Sequence, residues 1–237
     1  MRNPPLPRVF INVAITADGK IAPDTRRFVP FGSERDRSTM MELRSRADAV
    51  MSGARTVDLA KADLGPGGMK YQRQRLAQGL AEFNLRVIVS GSGSVDHEAH
   101  IFSQRFSPIL LLTTEAAPRK RIDRLGALVD DVFTSPGDLI DLRAALGWLK
   151  SKWGVKRLLC EGGGEINAAL IRAKLVDEIY VTICPVIFGG RSAPSLADGE
   201  GISQLTDAIK LKLKRREFVG GELYCVYKCL PASRTSF

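Results

Sequence analysis

A carboxylate followed by three glycines, Glu161-Gly-Gly-Gly164, is the segment of this sequence best suited to chemistry. The apolar run 155–160 before it is typical of a buried strand, and a helical pattern begins at Glu165. Glycines let the backbone come close to a ligand, and a helix start offers unpaired N–H groups and the positive end of its dipole. The segment therefore predicts a phosphate or pyrophosphate site; the alternative is an ordinary strand-to-helix turn that is rich in glycine.

The motifs of several other enzyme classes are absent from the sequence. No P-loop motif occurs, and in the loop 90–94 the third glycine of a dinucleotide-binding GxGxxG motif is replaced by Asp96. His97 and His100 are the only histidines and have no cysteine near them in sequence, so we expect no metal site. The signatures of nucleobase deaminases and of Gly-x-Ser-x-Gly hydrolases are also missing. With so few acid–base candidates, the chemistry must be one that a cofactor can carry.

Length and composition indicate one globular domain. The chain has 237 residues, of which 44% are hydrophobic and 26% charged, and no long Pro/Ser linker divides it. We expect a single domain over 1–237, with a core of about 8–230 and a short disordered tail at 231–237. There is neither a signal peptide nor an apolar run long enough for a membrane helix, so we expect a cytoplasmic protein without membrane contact. The four cysteines, all in apolar contexts, agree with that compartment.

The net charge of +9 raises the alternative of a basic nucleic-acid-binding module. Aromatic residues make up only 7% of the chain, and the basic clusters are scattered, so we expect no nucleic-acid partner. In the run 210–216 lysine and leucine alternate, which predicts a half-buried edge strand with a charged outer face. A basic protein also attracts an anionic small molecule.

Strand and helix patterns alternate along most of the chain. This alternation predicts an α/β fold with one mostly parallel sheet covered by helices on both faces. Gly220-Gly221 predicts a two-residue hairpin turn and hence an antiparallel end of the sheet. Strands are expected at 8–15, 47–53, 85–89, 108–113, around 132–133, and at 155–160, 178–187, 208–219 and 222–229; helices are expected at 34–46, from 56, at 69–82, from 118, and at 137–152 and 165–173.

Four segments, in this order, resemble the pyrimidine reductase family of riboflavin biosynthesis, which has the dihydrofolate reductase fold. The first is Val13-Ala-Ile-Thr-Ala-Asp-Gly-Lys-Ile-Ala22, and the second is Leu43-Arg-Ser-Arg-Ala-Asp-Ala-Val-Met-Ser-Gly-Ala-Arg-Thr-Val57. The third is Cys160-Glu-Gly-Gly-Gly-Glu165, and the fourth is Leu175-Val-Asp-Glu followed by Pro185-Val-Ile-Phe-Gly-Gly190. Their order and spacing make the resemblance specific. The family's aromatic motif after the first turn is replaced here by 29–33, which leaves the substrate open.

The resemblance implies an NADPH-dependent reductase. In this family a hydride passes to C1′ of a ribosylaminopyrimidine 5′-phosphate and opens its ribose, a reaction that needs alignment and charge stabilisation. The expected partner is thus a phosphorylated small molecule, and the family implies a homodimer. A dihydrofolate-type reductase is the alternative enzyme; its pterin-binding carboxylate would lie on the helix near 34–42, where Glu34, Asp36 and Glu42 are candidates.

The resemblance also implies site residues. Asp18 and Glu161 are the expected catalytic residues, and Arg44 together with Glu161 the expected substrate-binding residues; Asp18 could instead only shape its turn, and Arg44 could be a solvated helix residue. An aspartate of the cofactor loop is either Asp58 or Asp63. The residues expected to bind the cofactor are Ala14, Gly53, Arg55, Thr56, Gly163, Gly164, Glu165 and Ile166.

Overall fold

The computed structural model describes residues 6–60 and 62–230, which contain one nine-stranded sheet. The strands lie in the order β5-β4-β3-β2-β6-β1-β7-β9-β8. Their bounds are Arg8–Thr16 (β1), Ala49–Gly53 (β2), Leu85–Val89 (β3), Ile109–Thr114 (β4), Asp131–Ser135 (β5), Arg157–Cys160 (β6), Glu178–Cys184 (β7), Leu211–Val219 (β8) and Glu222–Cys229 (β9). The expected tail 231–237 lies outside the described residues.

Helices connect most of the strands. Their bounds are Glu34–Arg44 (α1), Ala54–Ala60 (α2), Met69–Ala77 (α3), His100–Ser103 (α4), Arg119–Gly126 (α5), Leu142–Trp153 (α6) and Gly164–Arg172 (α7), with one 3₁₀ turn at Leu205–Asp207. Because β1 to β7 are all parallel, their carboxyl ends lie at one edge of the sheet. A ligand site is expected at that edge.

The predicted antiparallel end of the sheet is confirmed. β9 pairs antiparallel with both β7 and β8, and Gly220 and Gly221 adopt φ values of +61° and +84° in the turn between β8 and β9. Positive φ at both central positions is what a two-residue hairpin turn requires. The mixed, mostly parallel α/β architecture therefore agrees with the sequence-based expectation.

The core consists of two layers, one on each face of the sheet. On one face, β1 contributes Val9, Ile11 and Val13 to a cluster that includes residues of α6 and α7. On the other face, Phe10 packs against a cluster that includes residues of α1, α2, α4 and α5. Successive residues of a strand point to opposite faces, so the even-numbered residues of β1 point toward α1.

Some predicted boundaries and one predicted burial pattern are wrong. The expected helix 137–152 begins only at Leu142, because the Asp141 side chain caps it by accepting a hydrogen bond from the Ala144 amide at 2.9 Å. The helix expected to reach residue 82 ends at Ala77, and Gly79 follows with φ +70°. β8 is not half-buried: residues 211–216 are exposed on both strand faces, since no element covers this edge strand in the described part of the chain.

Candidate active site

A bidentate interaction at the carboxyl edge of the sheet joins Arg44 of α1 to Glu161, the residue after β6. Arg44 donates from Nε to Oε1 of Glu161 at 2.7 Å and from Nη2 to Oε2 at 2.6 Å. Only 6% of the Arg44 side chain and 9% of the Glu161 side chain is exposed. Burial alone would lower the pKa of Arg44, but the charges of Glu161 and Asp63 outweigh it and raise that pKa. The two residues thus form a buried, bidentate ion pair.

The remaining donors of Arg44 fix the guanidinium further. Nη1 donates to the Gly65 carbonyl at 2.7 Å and lies 3.5 Å from Oδ1 of Asp63. Arg75 of α3 donates to the backbone carbonyls of Arg44 and Ala47 at 2.9 and 2.5 Å, so it holds the C-terminal end of α1. Arg44 is therefore not a solvated helix residue. Its expected contact with a substrate phosphate stays a prediction, and its contacts support a role in orienting Glu161.

The two candidate aspartates of the cofactor loop lie in different places. Asp63 faces Arg44 and accepts a hydrogen bond from the Gly65 amide at 2.8 Å. Asp58 lies on α2 and accepts one from the Asp96 amide, in the loop after β3, at 3.1 Å. Burial, together with the nearby Asp96 charge, raises the pKa of Asp58. Asp58 is therefore the aspartate that contacts the loop after β3, and it belongs to the short helix α2, which begins at Ala54.

The glycine segment forms the predicted turn from β6 into α7. The Gly162 carbonyl accepts hydrogen bonds from the Gly53 amide at 3.0 Å and the Ser52 hydroxyl at 3.2 Å, and the Gly162–Gly163 peptide bond is cis. α7 begins at Gly164, and the Asn167 amide donates to the Gly163 carbonyl at 3.1 Å. The amides of residues 164–166 precede the helical hydrogen-bond pattern, as at the start of any helix.

Gly163 and Gly164 serve different purposes. A Cβ atom on Gly164 would come within 2.5 Å of the Ser195 carbonyl oxygen, so this glycine permits close packing of α7 on the loop that contains Ser195 and Asp198. A Cβ atom on Gly163 would meet only the Thr56 hydroxyl, at 3.9 Å. This open position, between the starts of α2 and α7, is a cradle that a larger side chain would fill. The two predicted halves of the cofactor site are therefore adjacent.

The other residues expected at the cofactor site differ in exposure. Gly53 is packed against Ile166, because a Cβ atom at position 53 would lie 2.9 Å from Cδ1 of Ile166. Arg55 and Glu165 are exposed, at the starts of α2 and α7 respectively. Arg55 is thus free to meet an anionic group, whereas the carboxylate of Glu165 would repel one.

Asp18 holds together two loops at the end of β1. Its carboxylate accepts hydrogen bonds from the Thr16 hydroxyl at 2.5 Å, the Gly189 amide at 2.8 Å and the Phe188 amide at 3.3 Å. The Thr16 hydrogen bond is the main cause of its lowered pKa, with the two amides adding to it against some desolvation. These contacts support the structural alternative; a catalytic role of Asp18 stays a prediction. Ala14 lies two residues earlier on β1 and pairs in register with Thr182 of β7.

Asn12 is a candidate that the sequence analysis missed. It lies on the same face of β1 as Ala14, and the register of β1 with β6 places Glu161 next to it. No hydrogen bond to the Asn12 side chain is formed by residues 6–60 or 62–230. The signal was present, because Asn12 is the one polar residue within the otherwise apolar run 9–15.

A second group of acidic residues lies on the other side of Ala14, under the start of α1. Glu222 of β9 accepts hydrogen bonds from the Ser33 amide at 2.8 Å, the Ser33 hydroxyl at 2.5 Å, the Tyr224 hydroxyl and the Cys184 thiol. Burial would raise the pKa of Glu222, but these donors together lower it. Asp36 lies on the first turn of α1, where burial and the Glu222 charge raise its pKa and the nearby Thr182 hydroxyl opposes that rise. Of the carboxylates considered at positions 34, 36 and 42, Asp36 is the one that faces the sheet.

Two negative observations apply to residues 6–60 and 62–230. No three His, Cys, Asp or Glu side chains are grouped so that they could hold a metal ion. None of the helices combines the length and the apolar character needed to cross a membrane.

Comparisons with known proteins agree with this architecture. The RibD C-terminal domain family matches residues 7–224. A solved structure from Corynebacterium diphtheriae, described as a pyrimidine reductase-like protein, superposes with a TM-score of 0.78 at 21% identity and covers 95% of this chain and 92% of its own. At that identity the similarity shows the fold, and the predicted dihydrofolate reductase-like fold is confirmed.

Two relatives match nearly the whole chain, and both are named 2,5-diamino-6-ribosylamino-4(3H)-pyrimidinone 5′-phosphate reductase. The one from Methanothermobacter thermautotrophicus is 33% identical over 228 residues, covering 93% of this chain and 97% of the relative. The one from Aquifex aeolicus is 30% identical over 220 residues, covering 91% and 93%. The resemblance stated from the sequence is confirmed: this chain belongs to the RibD C-terminal domain family, whose similar members are reductases of riboflavin biosynthesis.

Proposed function

We propose that this chain is an NADPH-dependent reductase that acts on a ribosylaminopyrimidine 5′-phosphate in riboflavin biosynthesis. The observation that carries the proposal is the buried Arg44–Glu161 pair, which directly precedes the glycine turn at the start of α7. The substrates we consider are the diaminopyrimidinone named for the relatives and its deaminated uracil analogue. Family membership makes the dihydrofolate-type enzyme and the nucleic-acid-binding module the weaker alternatives.

The glycine turn fits the pyrophosphate of a nicotinamide cofactor. The open position at Gly163 leaves room for a ligand between Thr56 and the first turn of α7, and the amides of residues 164–166 can donate to phosphate oxygens. Gly53 and Gly164 let the surrounding segments pack closely enough to form this cradle. When bound, the dihydronicotinamide supplies a hydride. Ala14, with its small side chain on the sheet face that α1 covers, leaves room for the nicotinamide ring.

The preference for NADPH over NADH rests on cations at the carboxyl edge of β2 to β4. Arg55 follows β2 and is exposed. Arg121, on α5 after β4, donates from Nη1 to the Ser92 carbonyl at 3.3 Å, and so lies over the loop after β3. A 2′-phosphate would find both guanidinium groups there. We expect Arg121→Gln to weaken NADPH more than NADH, measured by cofactor fluorescence, whereas Arg124→Gln, an exposed change on the same helix, changes neither.

The substrate faces the cleft floor formed by β6, β1 and β7. Glu161, whose two oxygens already accept from Arg44, can accept further hydrogen bonds from N–H groups of a pyrimidine. The Asn12 amide next to it offers both a donor and an acceptor. Arg44 keeps the Glu161 carboxylate in one orientation, which is the alignment that hydride transfer requires.

We further propose a homodimer that works in the cytoplasm. β8 is an edge strand whose exposed side chains include Leu211 and Leu213, each 44% exposed, and Phe218, 72% exposed. A second copy of the chain covering β8 would remove these apolar groups from water. The four cysteines are free, which is typical of a reducing compartment.

The proposal is tested by NADPH oxidation with each of the two pyrimidine phosphates and with dihydrofolate. We expect turnover with a pyrimidine phosphate and none with dihydrofolate. Glu161→Gln should lower kcat more than it lowers the affinity for NADPH, and Glu82→Gln, an exposed change in the segment before β3, should alter neither. Turnover with dihydrofolate alone, or no saturable NADPH binding, would refute the proposal.

A further inference from the structure

We propose that Asp36 is the proton donor of the reaction, acting from the side of the nicotinamide position opposite to Glu161. This inference rests on the proposed function. Reduction at C1′ forms a C–H bond there with the hydride pair and breaks the C1′–O4′ bond. The pair of that broken bond stays on O4′, which must receive a proton to become the 4′-hydroxyl. A group in the cleft must supply that proton.

The position of Asp36 suits this step. Thr182 is close enough for its hydroxyl to lower the pKa of Asp36 against the effect of burial, and it pairs in register with Ala14 on the neighbouring strand. Adjacent strands are about 4.8 Å apart. Asp36 therefore lies about that distance, on the β7 side, from a ligand bound over Ala14. Glu161, which follows β6, lies on the other side of β1. A ring bound over Ala14 would thus have a carboxyl group on each side.

The fold makes room for this carboxyl group. A Cβ atom on Gly32 would lie 2.5 Å from Oδ2 of Asp36, so the glycine allows the segment before α1 to pass directly over the side chain. Ser33 caps α1 by accepting from the Asp36 amide at 3.3 Å and at the same time donates to Glu222. Asp36 is therefore positioned by both its own helix and β9.

The other carboxylates near the cleft are less suited to donate a proton. Glu161 accepts two hydrogen bonds from a buried guanidinium, and Glu222 accepts four hydrogen bonds. The pKa of Asp18 is lowered, chiefly by the Thr16 hydrogen bond. The pKa of Asp36, in contrast, is raised by burial and by Glu222, and no Lys or Arg in the described residues forms a salt bridge with it. Asp36 is the cleft carboxyl group that most readily keeps a proton.

The titratable groups that face Asp36 do not obscure its titration. On β7 and β9, burial first and the neighbouring carboxylates second raise the pKa of both Cys184 and Tyr224 to about 12. The pKa of Glu222 is lowered, so this residue is ionised over the whole range of interest. Arg35 of α1 lies with its guanidinium carbon 5.5 Å from the centre of the Tyr224 ring and forms a salt bridge with Glu217 of β8 at 2.7 Å. A fall in kcat as the pH rises from about 5 to 9 would therefore report on Asp36.

The deciding experiment compares wild-type protein with Asp36→Asn, and uses Glu34→Gln on the same turn of α1 as the matched control. We expect Asp36→Asn to lower kcat by about 10²- to 10⁴-fold, the usual contribution of a general acid. The KM for the pyrimidine phosphate and the dissociation constant for NADPH should stay near wild-type values. The decrease of kcat with rising pH should disappear in Asp36→Asn and persist in Glu34→Gln.

A second readout does not depend on activity. In ligand-free protein labelled with ¹³C in aspartate, one carboxyl signal should titrate above the ordinary aspartate value of about 3.9 and be missing from Asp36→Asn. The same variant should bind NADPH normally, which shows that it is folded. If it does not fold, the wild-type profile decides: a kcat that stays constant up to pH 9 refutes the proposal.

The results separate this inference from the proposed function. Wild-type protein without pyrimidine-dependent NADPH oxidation would overturn both. Active wild-type protein with an unchanged kcat in Asp36→Asn would overturn the proton-donor role alone. A raised KM with unchanged kcat would overturn it too, because Asp36 would then bind the substrate in the ground state and transition state equally.

Discussion

Removing Arg44 should destabilise the protein strongly, because it would leave a buried carboxylate without its cation. In Arg44→Met the side chain keeps an apolar stem of similar shape, but the two hydrogen bonds to Glu161, at 2.7 and 2.6 Å, and the one to the Gly65 carbonyl are lost. Breaking one partner of a buried pair costs about 3–5 kcal/mol. That is a large share of the roughly 5–15 kcal/mol by which a domain is stable.

Changing the other partner of the pair, in Glu161→Gln, should lower the free energy of unfolding less than Arg44→Met does. Glu161→Gln preserves the shape of the side chain and one acceptor oxygen, and Arg44 keeps its contacts with Gly65 and Asp63. We expect a loss of about 1–3 kcal/mol, as for a hydrogen bond to a charged group. In Arg44→Met/Glu161→Gln the two losses should not add, since neither charge is then left alone.

The assay is urea unfolding followed by far-UV circular dichroism, with Arg46→Met as the control. Arg46 is exposed, two residues after Arg44, and should change the free energy of unfolding little. If Arg44→Met lost no more than about 1 kcal/mol, the value for an exposed pair, the pair would not be buried in solution as described here. Additive losses in the double variant would equally contradict the reasoning.

Three further predictions concern the cradle, α1 and β8. Gly163→Val should fold normally, because there is space for a Cβ atom at this position, yet lose NADPH binding, because the side chain fills the cradle. Gly164→Ala should lower the free energy of unfolding in urea by about 1–3 kcal/mol, because its Cβ atom would lie 2.5 Å from the Ser195 carbonyl oxygen. Glu222→Gln should be less stable at pH 7 by about 1–3 kcal/mol. The pKa of Glu222 is lowered, so this stability is present above pH 4.5 and is lost as the pH falls below it; an equal deficit at pH 3 would contradict the assignment. In light scattering, Phe218→Asp should shift a dimer toward monomer, whereas Phe28→Asp should not; a monomeric wild type would refute the dimer.

The sequence predicted the order of elements because the periodicities are strong. Strands such as Leu85–Val89 and Glu222–Cys229 were located to the residue, since apolar side chains dominate them and glycine or asparagine precedes them. Helix ends were harder to predict. The start at Leu142 depends on a side-chain cap by Asp141, and Asp138 is an equally suitable capping residue three positions earlier.

The site was predictable as a set of segments and not as a set of contacts. The resemblance identified Arg44 and Glu161 separately, 117 positions apart, but periodicity gives no information about which helix face meets which strand end. Their direct pairing follows only once β6 lies next to β1 and β2 in the sheet. Asn12 was missed because a single polar residue in a strand is a weak signal on its own.

The two ends of α1 explain how one helix can serve both sides of the cleft. Its N-terminal cap, Ser33, is held by Glu222 of β9, and its last residue, Arg44, is held by Glu161 after β6. From β6 to β9 there are three strand spacings, about 14 Å, and an eleven-residue helix is about 16 Å long. α1 therefore spans β1 and β7 between two carboxylates, and any ligand over Ala14 lies beneath it. A change in either anchor should move Asp36 and Glu161 relative to each other, so Glu222→Gln should lower kcat as well as stability although Glu222 itself does not donate the proton.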